Sequence, residues 1–325
     1  MQSFIDPAIL FFVFGVFAGL VRSNLEIPPA ISRFLSLYLL MALGLKGGFA
    51  LAASGLNTQV LISLAAAVAM ASVIPLLSYG LLRQLIGRFD AAAIAATYGS
   101  VSAVTFITAV QYLDTHHLPY GGHMAAAMAL MESPAILLAV FMANKARAEM
   151  RLAPSNATSP ATSMGHVWHE ALTDGAQLLL LGAMLIGFFS GEQGQTVMKP
   201  FSVDLFKGML AFFLLDMGLL AARNMGKLKG QPASLLIYAL AAPPVHAGIA
   251  MVLGGALNLS PGDLALLMVL SASASYIAVP AVLRHAIPEA NPTLYFGMSL
   301  GLTFPLNILL GIPLYVQAAF WWVGA

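Results

Sequence analysis

Long apolar stretches are the feature that most constrains how this chain folds. Runs such as Leu61–Met70 (LISLAAAVAM) and Leu178–Leu185 (LLLLGAML) carry no charge and show no alternation of polar and apolar residues. A helix needs about 20 apolar residues to cross a bilayer, and lipid cannot satisfy exposed backbone groups. A membrane β-barrel would instead show alternating segments of about ten residues. We therefore expect an all-α polytopic membrane protein.

The composition excludes several classes of function. Only 8% of the residues are charged and 60% are apolar, whereas a soluble domain has about 25% charged residues. The net charge of +1 leaves no basic surface for nucleic acid. The chain has no cysteine and no HExxH motif, and the serines in its apolar stretches have no nearby histidine. We therefore expect that the protein is not an enzyme, and that it has no cofactor and no metal site other than one for sodium.

Polar and Gly/Pro clusters divide the apolar stretches into ten predicted membrane spans. We place them near residues 5–22, 29–46, 58–84, 90–113, 119–144, 168–190, 200–222, 232–257, 262–285 and 292–321. Eleven Lys and Arg residues then fall in the loops on one side and two in those on the other. Because cytoplasmic loops are enriched in Lys and Arg, we expect both termini outside the cell.

The spans divide into two halves of five. Residues 145–166 form a hydrophilic stretch rich in Ala, Ser, Thr and Pro, and we interpret it as a cytoplasmic linker between residues 1–144 and 167–325. A pattern in span four is repeated in span nine at an offset of 173, where Asp90, Ser100 and Ser102 correspond to Asp263, Ser273 and Ser275. An odd number of spans gives the halves opposite orientations. Such inverted repeats are typical of secondary transporters, which bind substrate at the repeat interface.

Small and polar residues at mid-depth in spans four and nine predict the binding site. Gly99 and Pro280 weaken the helix there. A broken helix exposes backbone N–H groups at a half-helix N-terminus, which binds anions. Serine hydroxyls add further donors, and the candidates are Ser100, Ser102, Ser273 and Ser275. The alternative is that these small residues only pack helices together.

Polar residues within other spans predict a sodium site. Glu132 lies midway in span five, beside Ser133 and Pro134, where carboxylate and carbonyl oxygens suit Na⁺. The alternative is a protonated carboxyl group hydrogen-bonded to a neighbouring helix. Further candidates are Ser271 of span nine and two residues of span ten, Thr303 and Asn307, which lie opposite Glu132 and Pro134 by the repeat. Interhelical hydrogen bonding explains Asn307 equally well.

Several motifs resemble those of the SbtA-type sodium-dependent bicarbonate transporters. The most specific are SASASYIAVPA at Ser271–Ala281, IPEANP at Ile287–Pro292, GLTFPLN at Gly301–Asn307 and GIPLY at Gly311–Tyr315. The first half is similar at Leu43–Gly48, Gly99–Ser102 and Glu132–Pro134.

The resemblance implies ten helices in two inverted five-helix repeats. Spans one, two, six and seven would form a gate domain, and the rest a core domain in which broken helices cross. It also implies a homotrimer in the bacterial inner membrane, an elevator-type mechanism and a PII-like cytoplasmic partner, SbtB. Bicarbonate would contact Ser102 and the backbone of Ala103 and Val104, and Glu132 would take the acidic sodium-site position.

The sequence departs from the family pattern at three of these positions. Ala103 and Val104 stand where we expect Gly and Ser, and Glu132 stands where we expect Asp. Val104 removes a hydroxyl group from the expected bicarbonate shell. The leading hypothesis is sodium-coupled bicarbonate uptake. The alternatives are sodium-coupled transport of another small anion, such as a carboxylate, and a non-transporting sensor that binds bicarbonate.

Overall fold

The regular structure of the described residues is helical. The computed structural model describes residues 6–55, 57–152, 175–228 and 230–324. The helices are α1 (Pro7–Leu20), α2 (Pro29–Ser54), α3 (Thr58–Leu82), α4 (Arg88–Gly99), α5 (Ala103–Thr115), α6 (Met124–Leu152), α7 (Gly175–Lys199), α8 (Phe206–Met225), α9 (Ala233–Ala256), α10 (Pro261–Ala272), α11 (Ala278–Ala286) and α12 (Pro292–Gly324). Turns of π-helix interrupt α12 at Ser299–Thr303 and Asn307–Gly311.

Within the described residues, seven helical segments are long and apolar enough to cross a membrane. One of them, Gly175–Met225, contains both α7 and α8 and so covers two of the predicted spans. The helices Pro7–Leu20 and Pro261–Ala272 are apolar but shorter. A polytopic all-α membrane protein is therefore confirmed, while the number of ten crossings stays a prediction.

Two helix pairs pack closely at glycines. In the pair α1/α8, a Cβ atom added at Gly15 would lie 2.2 Å from the Leu215 carbonyl oxygen. In the pair α2/α7, one added at Gly48 would lie 2.1 Å from the Met184 carbonyl oxygen. No other residue type fits where two backbones approach this closely. We call α1/α8 and α2/α7 the glycine-packed pairs.

The helices of each pair run parallel, because their contacts advance together along both. Gly44 lies against Leu180 and Gly48 against Met184 in the pair α2/α7. The two pairs also contact each other, since the Ser32 hydroxyl of α2 donates to the Asp216 carboxylate of α8. Parallel α2 and α7 require an odd number of crossings between them, in agreement with the three predicted there.

The remaining helices, α3–α6 and α9–α12, form a second group that we call the crossing bundle. Its interior contains the fully buried side chain of Tyr98, whose ring meets that of Tyr238 at 5.0 Å. The Tyr98 hydroxyl hydrogen-bonds the Thr303 hydroxyl at 2.7 Å. These contacts join the first and second halves of the chain inside one bundle.

Helix α6 extends beyond the predicted end of span five into the predicted linker. Residues 145–152 are helical, and the rest of the predicted linker lies outside the described residues. Arg147 anchors this extension because its guanidinium group donates to Glu289 at 2.6 Å and to the Ala286 carbonyl at 3.0 Å. The segment is rich in Ala, Arg and Glu, which favour helix.

Candidate functional site

Two broken helices cross inside the bundle. The chain is not helical between Gly99 and Ala103, nor between Ala272 and Ala278. The Ser102 N–H donates to Ser273 Oγ at 2.9 Å, and the Ser275 N–H donates to the Thr97 carbonyl at 2.8 Å. These hydrogen bonds between the two breaks satisfy backbone N–H and C=O groups that have no helical partner, as burial within a membrane requires.

The first break depends on close packing at Gly99. A Cβ atom there would lie 2.6 Å from Cδ of Pro75 in α3. At the second break, Pro280 lies in the first turn of α11 rather than in the extended segment. A proline is tolerated in a first turn because its missing N–H would have had no intrahelical partner.

The serines related by the offset of 173 have matching roles. Ser100 and Ser273 cap the C-termini of α4 and α10. Ser102 Oγ accepts a hydrogen bond from the Thr105 N–H at 3.2 Å, in the first turn of α5. Ser275 Oγ accepts one from the Val279 N–H at 3.3 Å, in the first turn of α11.

A cavity of about 60 Å³ lies between the crossing and the pair α2/α7. One water needs about 10–15 Å³ of such space, so the cavity fits a few waters or one small ion. The crossing contributes Val101, Ser102, Ala103, Val104, Ser275, Tyr276, Ile277 and Ala278; the helices contribute Ser36, Leu40, Met128, Ala129, Glu132, Ala176, Gln177 and Leu180. The helical backbone begins at this cavity twice, at Ala103 and at Ala278.

The acidic residue of the cavity is Glu132 of α6. Its Oε2 atom accepts a hydrogen bond from Nε2 of Gln177 of α7 at 2.6 Å. Hydrogen bonds to ionised groups are short and about twice as strong as neutral ones. This hydrogen bond joins α6 of the crossing bundle to α7 of a glycine-packed pair, so the carboxylate lies at the boundary between the two groups of helices.

The structure brings together some of the predicted site residues. Those that line the cavity are Ser102, Ala103, Val104, Ser275 and Glu132. The others are absent from its lining, namely Ser100, Ser273, Ser133, Ser271, Thr303 and Asn307.

Three of these other residues carry buried oxygens without a hydrogen-bond partner among the described residues. They are Ser100 Oγ, Ser271 Oγ and Asn307 Oδ1. The Asn307 amide donates to the Ala272 carbonyl beside the second break at 2.8 Å. Thr303 instead donates to the Ala239 carbonyl at 2.8 Å, so its hydroxyl links helices.

Sequence reasoning missed Gln177, Ser36 and Tyr276 as cavity residues. Gln177 had a usable signal, since it is a polar residue at the start of an apolar run. Ser36 had none, because single serines are common in membrane helices. Tyr276 lies within a quoted motif, but only the fold shows its contact with Met217, whose sulfur accepts from the hydroxyl at 3.7 Å.

The C-terminal part of α2, which we call its far end, packs against the crossing bundle and closes the space between them. Lys46 Nζ lies 2.8 Å from Oδ2 of Asp114 of α5, and the Tyr120 hydroxyl donates to the same carboxylate at 2.9 Å. Gly47 also contacts the Gly122 backbone, where a Cβ atom would lie 2.8 Å from the carbonyl oxygen.

A second cavity, of about 390 Å³, lies at this far end between α1, α8 and α5. Its lining includes the ion pair of Asp6 and Lys207, at 3.3 Å, and the polar side chains of Gln111 and His116. The two cavities therefore lie at different levels along the glycine-packed pairs, the first near the middle of α2 and the second at its far end.

Comparison with known proteins places this arrangement in a family. No curated protein sequence matches the chain. A sequence model of the Na⁺-dependent bicarbonate transporter superfamily matches residues 7–320, from the first residue of α1 into α12. The match contains both broken helices, the cavity at their crossing and the glycine-packed pairs. The chain therefore belongs to the Na⁺-dependent bicarbonate transporter superfamily.

Proposed function

We propose that this protein carries bicarbonate into the cell together with Na⁺, binding both at the crossing. The observation that supports this most directly is the cavity itself. Two helices begin there, at Ala103 and Ala278, and one carboxylate, that of Glu132, faces the same small space. The groups that would bind the anion and the cation thus lie side by side.

The anion would bind to backbone groups rather than to charged side chains. The first N–H groups of a helix have no intrahelical acceptor, and the helix dipole adds about half a positive charge there. In α5 these groups include the N–H groups of Ala103 and Val104, while Ser102 caps that of Thr105. The small volume would select a small anion over a large one.

Glu132 makes the cation necessary. An anion about 5 Å from an ionised carboxylate is repelled by roughly 3 kcal/mol at an effective dielectric constant of about 20. A Na⁺ ion beside Glu132 removes this repulsion, so each ion raises the affinity for the other. Ser133 adjoins Glu132, and the unpartnered oxygens of Ser271 and Asn307 are further candidate cation ligands. Thr303 is the weakest of the predicted sodium ligands because its hydroxyl is engaged elsewhere.

Alternating access would be of the elevator type. The glycine-packed pairs would form the stationary gate domain and the crossing bundle the moving core domain. The hydrogen bond from Gln177 to Glu132 and the ion pair of Lys46 and Asp114 are side-chain contacts between the two groups, which a moving bundle can break and form again. The parallel directions within both pairs fit two inverted repeats, residues 1–144 and 167–325, joined by the linker at 145–166.

The resemblance extends the proposal to assembly and location. We propose a homotrimer in the bacterial inner membrane, with both termini outside and the starts of α2 and α7 on the cytoplasmic side. A PII-like regulatory protein of the SbtB type would bind from the cytoplasm.

A second candidate substrate is a small carboxylate. Ala103 and Val104 give the cavity an apolar wall beside the helix start, which suits a short hydrocarbon group. Competition by unlabelled formate and acetate against labelled bicarbonate distinguishes these substrates.

Uptake of radiolabelled bicarbonate into proteoliposomes tests the function. The assay compares an inward Na⁺ gradient with an inward choline gradient, at alkaline pH where little CO₂ leaks through lipid. We expect accumulation only with Na⁺. Saturable binding without uptake would favour a sensor, and Na⁺-driven uptake of acetate but not bicarbonate would favour the carboxylate.

Glu132→Gln tests the coupling. Removing the charge removes the strongest cation ligand, so the Na⁺ concentration for half-maximal uptake should rise at least about tenfold. Asp216→Asn is the matched control, because Asp216 is another carboxylate within a predicted span but accepts from Ser32 outside the cavity. An equal effect of both variants would contradict a specific role for Glu132.

A further inference from the structure

Gln177 is a buried amide whose role the proposed function does not explain. Its residue is only 8% exposed, and its Nε2 donates to Glu132 Oε2 at 2.6 Å. The side chain begins an apolar run, Leu178–Leu181, where an amide is costly unless it is hydrogen-bonded. The hydrogen bond to Glu132 therefore helps to hold the Gln177 side chain in place.

The hydrogen bond joins two groups of helices. Gln177 belongs to α7, which packs along α2 through Gly44, Gly48 and Gly187. Glu132 belongs to α6 of the crossing bundle. Any sliding of the bundle along the pairs separates the two side chains, because the backbone contacts within the pair hold α7 in place.

We propose that Gln177 is a positioning residue that lowers the affinity of the Glu132 site for Na⁺ in the conformation of this structure, in which Lys46 and Asp114 close the far end of α2, the outer end in the proposed orientation. This inference rests on the proposed function, in which Glu132 binds the coupling cation. The amide proton and the cation are attracted to the same carboxylate oxygens. When the bundle moves, Glu132 loses this hydrogen bond, and the competition of the amide with Na⁺ for Oε2 ends.

The consequence is an affinity difference between the two sides of the membrane. Na⁺ would bind tightly when the site faces outside, where Glu132 is away from Gln177. It would bind weakly when the site faces the cytoplasm, where Gln177 competes. A symporter that must release Na⁺ into the cytoplasm gains speed from such a difference.

Gln177→Met tests the inference, because it keeps the length of the side chain and removes the donor. Uptake is measured in proteoliposomes of uniform orientation while Na⁺ is varied on one side at a time. We expect the internal Na⁺ concentration that halves uptake to fall about tenfold, the effect of losing one hydrogen bond to a charged group. The external Na⁺ concentration for half-maximal uptake should stay within about twofold.

Gln193→Met is the matched control, since Gln193 is an exposed glutamine of the same helix. Gln177→Asn, which is one methylene shorter, should behave like Gln177→Met and provides a second variant if methionine impairs folding. A rise in the internal half-inhibitory concentration would make Gln177 a ligand and overturn the inference. Equal changes on both sides would show a merely structural role and also overturn it.

A binding measurement separates this inference from the proposed function. The chain has no cysteine, so Lys46→Cys with Asp114→Cys can be cross-linked to hold the conformation in which Lys46 and Asp114 pair. Na⁺-dependent thermal stabilisation of this protein needs no transport. A tenfold lower Na⁺ midpoint in Gln177→Met supports the inference even if bicarbonate is not the substrate, and an unchanged midpoint, or no stabilisation by Na⁺ at all, overturns it.

Discussion

Ser102 and Ser275 use their hydroxyl oxygens to cap the helices that follow the two breaks. The same oxygen of Ser102 also accepts a hydrogen bond from the Thr105 hydroxyl at 2.9 Å. These serines thus orient the first turns of α5 and α11, whose N–H groups would hold the anion. Their contribution to binding is largely indirect, through the backbone that they position.

Ser102→Ala should therefore weaken both stability and binding. Loss of an N-cap costs about 1 kcal/mol of stability, and we expect the bicarbonate concentration for half-maximal uptake to rise about fivefold. Thermal unfolding and uptake check this. Ser102→Thr retains a capping oxygen and should remain near wild type. Ser72→Ala is the control because its hydroxyl donates to the Val68 carbonyl on an exposed helix face, and a loss as large in that variant would contradict a specific cap.

At the scale of whole helices, glycine determines how closely the helices of each pair approach. In the pair α2/α7, Gly44, Gly48 and Gly187 bring two backbones together without intervening side chains. A pair of helices packed in this way resists sliding, because any shift forces side chains into the opposing backbone. This rigidity is what allows the crossing bundle to move against a fixed partner in the proposed mechanism.

Gly48→Ala should destabilise the pair, while Gly182→Ala should not. The added Cβ at Gly48 would lie 2.1 Å from a carbonyl oxygen, whereas Gly182 has no atom of another element within 4 Å. Overpacking costs about 1–3 kcal/mol, and replacing an unconstrained helical glycine by alanine gains about 0.5–1 kcal/mol. Thermal unfolding of both variants measures the difference, and equal melting temperatures would refute the close approach.

Both breaks could be predicted from the sequence, but only some of the residues that line the cavity could be. The correspondence of Ser102 to Ser275 could be predicted from the sequence, because each serine caps the helix that follows it and capping is a local interaction. The contact of Gln177 with Glu132 could not be predicted from the sequence, since it joins residues 45 positions apart in the chain. Thr303 was expected at the sodium site, yet it donates to Ala239 of a neighbouring helix, and a hydroxyl in a sequence gives no sign of which partner it has.

At the scale of the whole molecule, the closed end of α2 indicates which conformation the structure represents. Lys46 and Asp114 join a glycine-packed pair to the crossing bundle, and the smaller cavity lies toward the opposite end of α2. With the predicted orientation, the ion pair lies on the outer side of the cavity. Opening to the outside would require this ion pair to separate.

Cross-linking tests that requirement. A short thiol-reactive cross-linker should stop uptake in the variant with Lys46→Cys and Asp114→Cys, and cleavage of the linker should restore it. The control joins Asp6→Cys to Lys207→Cys, whose native side chains pair at 3.3 Å between α1 and α8. In the proposed mechanism both of these residues stay with the stationary pairs, so cross-linking them should leave uptake unchanged. Full uptake by the first cross-linked variant would contradict motion between the two groups.

The glycine-packed pairs also affect how this protein tolerates genetic change. Every single-nucleotide substitution that changes the residue at a glycine codon introduces a side chain or a stop. Gly15, Gly44, Gly48 and Gly218 are therefore each one point mutation away from a clash with an opposing backbone. Random mutagenesis should recover more functional variants at Ala103, which is only partly buried in the cavity wall, so new substrate preferences would evolve there before the helix pairs change.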